Sequence, residues 1–349
     1  MPTLPICSSS STITIIATIK NHNDMQSFSD YLEIVNKAIA AVEYPAQPAH
    51  LYEPIAYTMS LGGKRLRPVL TLMACEAFGT PCEAAINQAV GLEFYHNFTL
   101  LHDDVMDKAD VRRGKPTVHC RWDENTAILS GDAMLTTATI IMSKAPADKL
   151  PAVMDIFNRT AMEIYEGQQW DMDFESRNDV TVDEYIEMIR LKTSVLFGAA
   201  CRLGSVIAGA DEASQEALYG FAMELGLAFQ LQDDYLDTYG DPATFGKEIG
   251  GDILNAKKTF MLISAYRNAD KETTERLDAL FAINDKSRNA EKIAGVKAIY
   301  DKLEIPRLCT EQIDSHLAKS LEWLDKVSFK DDGRKAFEDY VNMLVNRDK

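Results

Sequence analysis

The amino-acid sequence predicts an all-α protein, a large single-domain helical bundle. Three observations carry that expectation. From Leu51 onward nearly every segment repeats its apolar residues every 3.6 positions, and alternation with a period of 2 is nearly absent. Breakers separate the segments at Gly79-Thr80-Pro81, Gly114-Lys115-Pro116, Ala145-Pro146, Gly209-Ala210-Asp211 and Asp241-Pro242. There glycine frees φ and proline removes a backbone donor. No Pro- or Gly-rich linker and no short-period repeat divides the 349 residues, so they are expected to share one core.

The first 24 residues stand apart from this pattern. Met1 to Ala17 carries no charge, is rich in Ser and Thr, and includes Thr12-Ile13-Thr14-Ile15-Ile16. It lacks the basic start and longer apolar core of a signal peptide. It reads as a disordered tail, or as a misplaced start with Met25 the true one, and the organised domain then spans residues 25–349. Ser27 or Asp30 can cap a first helix through Ile34, Ala38 and Val42, which Tyr44-Pro45 and Gln47-Pro48 break. Further helical segments are expected at Leu70 to Ala77, Ala84 to Met106, Ala127 to Met142, Val153 to Gln169, Val182 to Ile207, Ala213 to Thr238 and Lys257 to Asn268. Several of them place Ala, Gly and Met at apolar positions, which allows close packing around a central shaft.

Bulk properties narrow the function classes. Hydrophobic content of 46% and charged content of 26% are those of a soluble globular protein. No run of 18 apolar residues occurs, so no membrane span is expected. A net charge of −17 argues against nucleic acid as a partner, since phosphate backbones need basic stripes. Cys7, Cys75, Cys82, Cys120, Cys201 and Cys309 are scattered without a CxxC pair, as for reduced thiols in the cytoplasm.

The chemistry concentrates in two acidic stretches. In Leu100-Leu101-His102-Asp103-Asp104-Val105-Met106-Asp107 an apolar helical run ends in three carboxylates that can share one face. Such neighbours repel by about 0.2–0.5 kcal/mol per pair even on an exposed helix. Carboxylates without His or Cys suit a hard ion such as Mg²⁺. Phe229-Gln230-Leu231-Gln232-Asp233-Asp234-Tyr235-Leu236-Asp237 repeats the DDxxD spacing 130 residues later, after another apolar run. Two such triplets facing each other across a bundle could hold several Mg²⁺ ions around a diphosphate.

Basic islands accompany both triplets. Arg112 and Arg113 follow the first, and Lys247, Lys257 and Lys258 follow the second. A third island, Gly62-Gly63-Lys64-Arg65-Leu66-Arg67-Pro68, pairs flexible backbone with three cations but lacks the form of a P-loop. No Ser–His–Asp or Cys–His pattern calls for a covalent nucleophile. Glu93-x-x-His96 has the spacing of a di-iron ligand pair, but none of the other five His residues has a Glu three before it.

In these features the chain resembles the trans-isoprenyl diphosphate synthase (polyprenyl synthetase) family. The matching stretches are GGKRLRP, LLHDDVMDKADVRRGKPTVH, SGDAM, EGQ, LKT, FQLQDDYLD and GKxxGxDIxxxKxT, in order from Leu61 to Thr259. The resemblance implies a bundle of isoprenoid synthase type around a central cavity. It implies that Asp103, Asp104, Asp107, Asp233, Asp234 and Asp237 bind Mg²⁺, as three ions, with Asp103, Asp107 and Asp233 as direct ligands. Arg112, Lys192, Gln230, Lys247 and Lys257 would hold an allylic diphosphate. Lys64, Arg67, His96 and Arg113 would hold isopentenyl diphosphate. Lys192, Thr193 and Gln230 would place dipoles beside an allylic carbocation as pyrophosphate leaves. A homodimer is implied as well.

Product length can also be read by that resemblance. Large side chains upstream of the first triplet form the floor of a tunnel. Phe98 and Tyr95 precede Asp103 by five and eight residues, roughly 7.5 and 12 Å along a helix. With small Thr99 beside it and no two-residue insertion in the motif, Phe98 points to a twenty-carbon product, geranylgeranyl diphosphate. Farnesyl diphosphate and longer chains come next. A class I terpene cyclase is a rival, but its second metal motif mixes Asn, Ser or Thr with Glu. A non-catalytic subunit would lack one aspartate motif, and a plain acidic scaffold would not explain the basic islands.

Overall fold

The structure, a computed structural model, describes residues 25–241, 249–330 and 332–345. The expectations for residues 1–24 and for Lys247 lie outside the described residues. Within them the chain is almost wholly helical. The first helices are α1 (Phe28–Ala40), α2 (Ala49–Ser60), α3 (Leu66–Glu76), α4 (Ile86–Met106), α5 (Val118–Arg121), α6 (Glu124–Met142) and α7 (Leu150–Glu175). Next come α8 (Val182–Ile189), α9 (Val195–Ala208) and α10 (Glu212–Tyr239). The chain continues with α11 (Gly251–Leu254), α12 (Phe260–Asn268), α13 (Lys271–Phe281), α14 (Asn289–Lys302), α15 (Ile305–Leu324) and α16 (Gly333–Val345). The strands among the described residues are β1 (Val111–Arg112) and β2 (Lys115–Pro116), an antiparallel clasp just past the first triplet.

Local chemistry explains the helix starts. Ser27 and Asp30 form a capping box that opens α1, and Thr181 with Glu184 does the same for α8. Thr259 caps α12 by accepting from the Leu262 N–H. Lys257, expected inside that helix, therefore sits in the turn before it.

The main core is built from α1, α3, α4, α6, α7, α9 and α10, with Leu70, Leu72, Leu92, Phe94, Phe197 and Phe221 fully buried. A second apolar cluster joins α8 and the lower part of α10 to α12–α15. Helix α9 is the shaft, packed between α3, α7 and α10. The run Val182–Ala208 is long and apolar enough by composition to cross a bilayer, but 83% of its most apolar stretch is buried within the protein. It is a core helix.

The structure departs from one continuous helix over Val182 to Ile207. Arg190–Ser194 forms a π-helical turn between α8 and α9. Such a turn adds a residue to the local winding and is frequent at functional sites. This one carries Lys192 and Thr193.

Candidate active site

α4, α7, the π turn and α10 enclose a cavity of about 680 Å³. Asp103 from α4 and Asp233 from α10 both line it. Lys64, Arg67, Arg112, Arg113 and Lys192 line the same space, as do His96, Thr193 and Gln230. Phe98, Ile164, Leu196 and Phe229 supply its apolar wall.

The six aspartates do not converge as two equal triplets. Burial pushes the Asp103 carboxyl up to about 6, against the pull of the Lys192 ammonium. Asp104 is buried and turned away, and both its oxygens accept from Arg112 Nε, at 2.7 and 2.8 Å. Asp107 is the exposed C-cap of α4. On α10, buried Asp234 accepts from the Tyr185 hydroxyl and, at 2.9 Å, from Gln230 Nε2. Burial raises its carboxyl to about 7 although those two donors pull it down. Asp237 accepts from the Asp252 backbone N–H at 2.9 Å and so holds the turn into α11. Among the described residues no three His, Cys, Asp or Glu side chains stand close enough to hold an ion. The expectation of one shared face fails for a geometric reason. Adjacent residues on a helix point about 100° apart, so Asp104 and Asp234 face their neighbours.

Asp103 and Asp233 nevertheless fit a hard cation. A carboxyl that burial holds near 6 lacks charge compensation. The buried Gln168 Oε1, which also faces the cavity, has no hydrogen-bond partner among the described residues. An acceptor left without a donor suits an ion or its water shell.

The cations are held by residues the sequence did not single out. Lys192 Nζ lies 2.6 Å from Asp171 Oδ2, and Lys257 Nζ lies 3.6 Å from the same oxygen and 3.0 Å from Glu175 Oε1. Burial raises the Asp171 carboxyl, but the two ammonium groups outweigh it and hold it below the usual range. The only sequence signal was its place one turn beyond Glu166-Gly167-Gln168. At Gly167 a Cβ would stand 2.4 Å from the Lys192 backbone N, so only glycine lets α7 lie against the π turn. Thr193 Oγ1 donates to Gln230 Oε1 at 2.9 Å. Thr193, Gln230, Asp234 and Tyr185 thus form one hydrogen-bonded chain that fixes the amide of Gln230. Tyr185 was missed because nothing local marks it.

In the glycine-containing island the three cations part company. Lys64, Arg65 and Arg67 all border the cavity, but the Arg65 side chain is buried. Arg65, at φ +48°, turns inward to Glu93 Oε1 at 2.5 Å and donates to the Met59 carbonyl at 2.9 Å. Arg113 lies across Gly63 and donates to the Gly62 carbonyl. Arg67 Nη1 is 3.3 Å from His96 Nε2. Burial, then Arg67, Arg113 and Arg112, push His96 well below the ordinary histidine value. His96 is therefore neutral at pH 7 and offers one N–H rather than a charge.

Phe98 is buried, with its ring edge-on to His102 at 4.8 Å and tilted against Tyr95 at 5.6 Å. Tyr95 does not reach the cavity. It lies behind Phe98, edge-on to Phe157 at 5.4 Å.

Comparison with known proteins agrees with this geometry. The model of the polyprenyl synthetase family matches residues 48–302. The geranylgeranyl diphosphate synthase of Methanosarcina mazei is 35% identical over 315 residues, covering 86% of this chain and 94% of that protein. A crystal structure of a geranylgeranyl pyrophosphate synthase superposes with a TM-score of 0.87 at 43% identity, covering 93% of this chain and 100% of that one. The polyprenyl synthase of Caulobacter crescentus, complexed with calcium and isoprenyl diphosphate, superposes with a TM-score of 0.82 at 27% identity, covering 95% of this chain and 100% of that one.

Proposed function

The chain belongs to the polyprenyl synthetase family and is a trans-prenyltransferase; from that premise we propose that it condenses isopentenyl diphosphate with an allylic diphosphate to make geranylgeranyl diphosphate. The observation that carries this reading is a single cavity with charge at one end and an aromatic stop at the other.

At the charged end Arg112 and Lys192 would bind the allylic diphosphate, with Lys257, which shares Asp171 with Lys192, and Lys247 as further candidates. Lys64, Arg67 and Arg113 would bind the isopentenyl diphosphate, and neutral His96 adds one hydrogen bond. These groups favour pyrophosphate departure because they are already oriented towards the charge that develops. Asp103, Asp107 and Asp233 would hold Mg²⁺, three ions in all. Bound there, the metal supplies Lewis-acid stabilisation of the leaving pyrophosphate. Gln230 and Thr193 line the cavity, and the remaining lone pairs of their oxygens would favour a carbocation passing nearby. Gln230 keeps that orientation because Asp234 takes its N–H.

At the apolar end Phe98 supports a twenty-carbon product, since the chain grows away from the carboxylates towards its ring. A homodimer is supported by exposed apolar side chains on α6, among them Ile128, Leu129 and Ile140, the last two 61% and 56% exposed. Free Cys75, Cys82, Cys120, Cys201 and Cys309 agree with a reducing, cytoplasmic setting.

The test is direct. Purified protein is incubated with Mg²⁺, isopentenyl diphosphate and dimethylallyl, geranyl or farnesyl diphosphate in turn. Pyrophosphate is assayed and the products are weighed by mass spectrometry. A twenty-carbon all-trans diphosphate is expected. A main product of fifteen carbons, or of more than twenty, would correct the length, and a cyclised hydrocarbon or no pyrophosphate would overturn the reading.

A further inference from the structure

Phe98 does not close the apolar end of the cavity alone. The ring of Tyr165, on α7, lines the same space and stands edge-on to Phe98, with centroids 6.3 Å apart and planes at 88°. It also tilts against Tyr95 at 6.4 Å. What lies behind the two rings differs. Behind Phe98 are Tyr95 and Phe157, both buried, so removing the Phe98 ring uncovers a second aromatic wall. Tyr165 is 36% exposed, and Met162 and Met172 share its stripe of α7 by their spacing and are exposed too. This ring therefore stands where the cavity wall and the exposed apolar stripe of α7 meet. Met106, which also lines the cavity, is exposed as well.

We propose that Tyr165 is a second determinant of product length, a side wall that stops the growing chain from passing laterally between α4 and α7. The proposal rests on the prenyltransferase reading and adds a residue on a helix other than the one that carries the first triplet. Straight extension past Phe98 soon meets Tyr95. Extension past Tyr165 meets the apolar outer stripe of α7, so the lateral path accommodates the longer chain.

The experiment compares products of wild type, Phe98→Ala, Tyr165→Ala and Tyr165→Phe with Mg²⁺, isopentenyl diphosphate and farnesyl diphosphate. Tyr165→Ala should raise the ratio of longer to original product by about tenfold or more, the discrimination a hydrophobic pocket draws from a single methylene. Tyr165→Phe, which keeps the ring, should leave the distribution as in wild type. Tyr165→Leu serves as a second truncation should the alanine variant not fold. An active Tyr165→Ala or Tyr165→Leu variant with the wild-type distribution overturns the proposal, whatever Phe98→Ala does. A wild-type protein that makes no prenyl product overturns the prenyltransferase reading and this proposal with it.

Discussion

Replacing Glu93 by alanine should destabilise the fold by about 3–5 kcal/mol, the loss expected when one partner of a buried ion pair is removed. The size follows from where the pair sits. Arg65 and Glu93 side chains are each 3% exposed, and Nη1 and Oε1 are 2.5 Å apart. Glu93 Oε1 also accepts from Asn97 Nδ2 at 2.8 Å. Without Glu93, the guanidinium keeps the Met59 carbonyl at 2.9 Å but no counter-charge within this contact. At about 2.1 cal/mol/K per residue, a chain of 349 residues has an unfolding entropy near 0.7 kcal/mol/K. The expected fall in Tm is then about 4–7 °C.

The same substitution should reach the active site. Arg65 precedes α3 directly and follows Lys64 in the loop that Glu93 anchors. Losing the anchor should raise KM for isopentenyl diphosphate more than KM for the allylic substrate, whose contacts come from other elements. Calorimetry of the variant and initial rates with one substrate saturating at a time measure both effects. The double variant Arg65→Leu with Glu93→Leu should recover most of the lost stability, since it removes the stranded charge along with its partner. A Glu93→Ala protein whose Tm lies within about 1 °C of wild type would refute the reasoning, because it would mean that Arg65 is not stranded without Glu93.

Two further outcomes follow from the site. Asp171→Asn should lower kcat/KM for the allylic substrate by about 10–100-fold with little change in KM for isopentenyl diphosphate, because Lys192 and Lys257 both lose the oxygen that aims them. Steady-state kinetics with each substrate varied will check it. The rise in Tm produced by Mg²⁺ should be small at pH 5 and grow through pH 7. Burial puts Asp103 near 6 and Asp234 near 7, so both bind protons more tightly folded than unfolded. Their ionisation therefore costs stability as pH rises from about 4 to 7, and cation binding at Asp103 offsets its share of that cost. Calorimetry with Mg²⁺ or EDTA across this range measures it, and a pH-independent Mg²⁺ effect would count against the carboxylate assignment.

The helical class and most helix spans were legible because a 3.6-residue apolar period is a local property. Ala84 to Met106 was expected, and α4 runs Ile86–Met106 after a short 3₁₀ turn. The π turn at Arg190–Ser194 was not legible, because it sits where the backbone at Gly167 and Gly226 crowds Lys192 and Ser194 from other helices. The site divides in the same way. Lys64 and Arg67 look like Arg65 in sequence, yet Glu93, 28 residues away from Arg65, draws one of the three into the core. Asp171, Tyr185 and Tyr165 carry no motif. Each matters through a partner on another helix, and a partner is what a single sequence does not display.

The two aspartate stretches also change meaning once their side chains have directions. Read as sequence, DDxxD is three equal ligands. On a helix the first and fifth positions align and the second points about 100° away. In both copies the second aspartate is buried and holds a neighbour: Asp104 holds Arg112, and Asp234 holds Gln230. Those neighbours are the groups proposed to meet the allylic diphosphate and the carbocation. The doubled aspartate therefore combines two tasks at adjacent positions, one carboxylate facing the cavity and one fixing a polar partner beside it. The repulsion between adjacent carboxylates is limited because the inner one is neutralised by Arg112 in the first copy, and in the second is raised by burial to about 7 and held by two neutral donors. Removing Arg112 should thus disturb Asp103 both directly, by loss of its charge, and through Asp104, although its hydrogen bonds go only to the second of the pair.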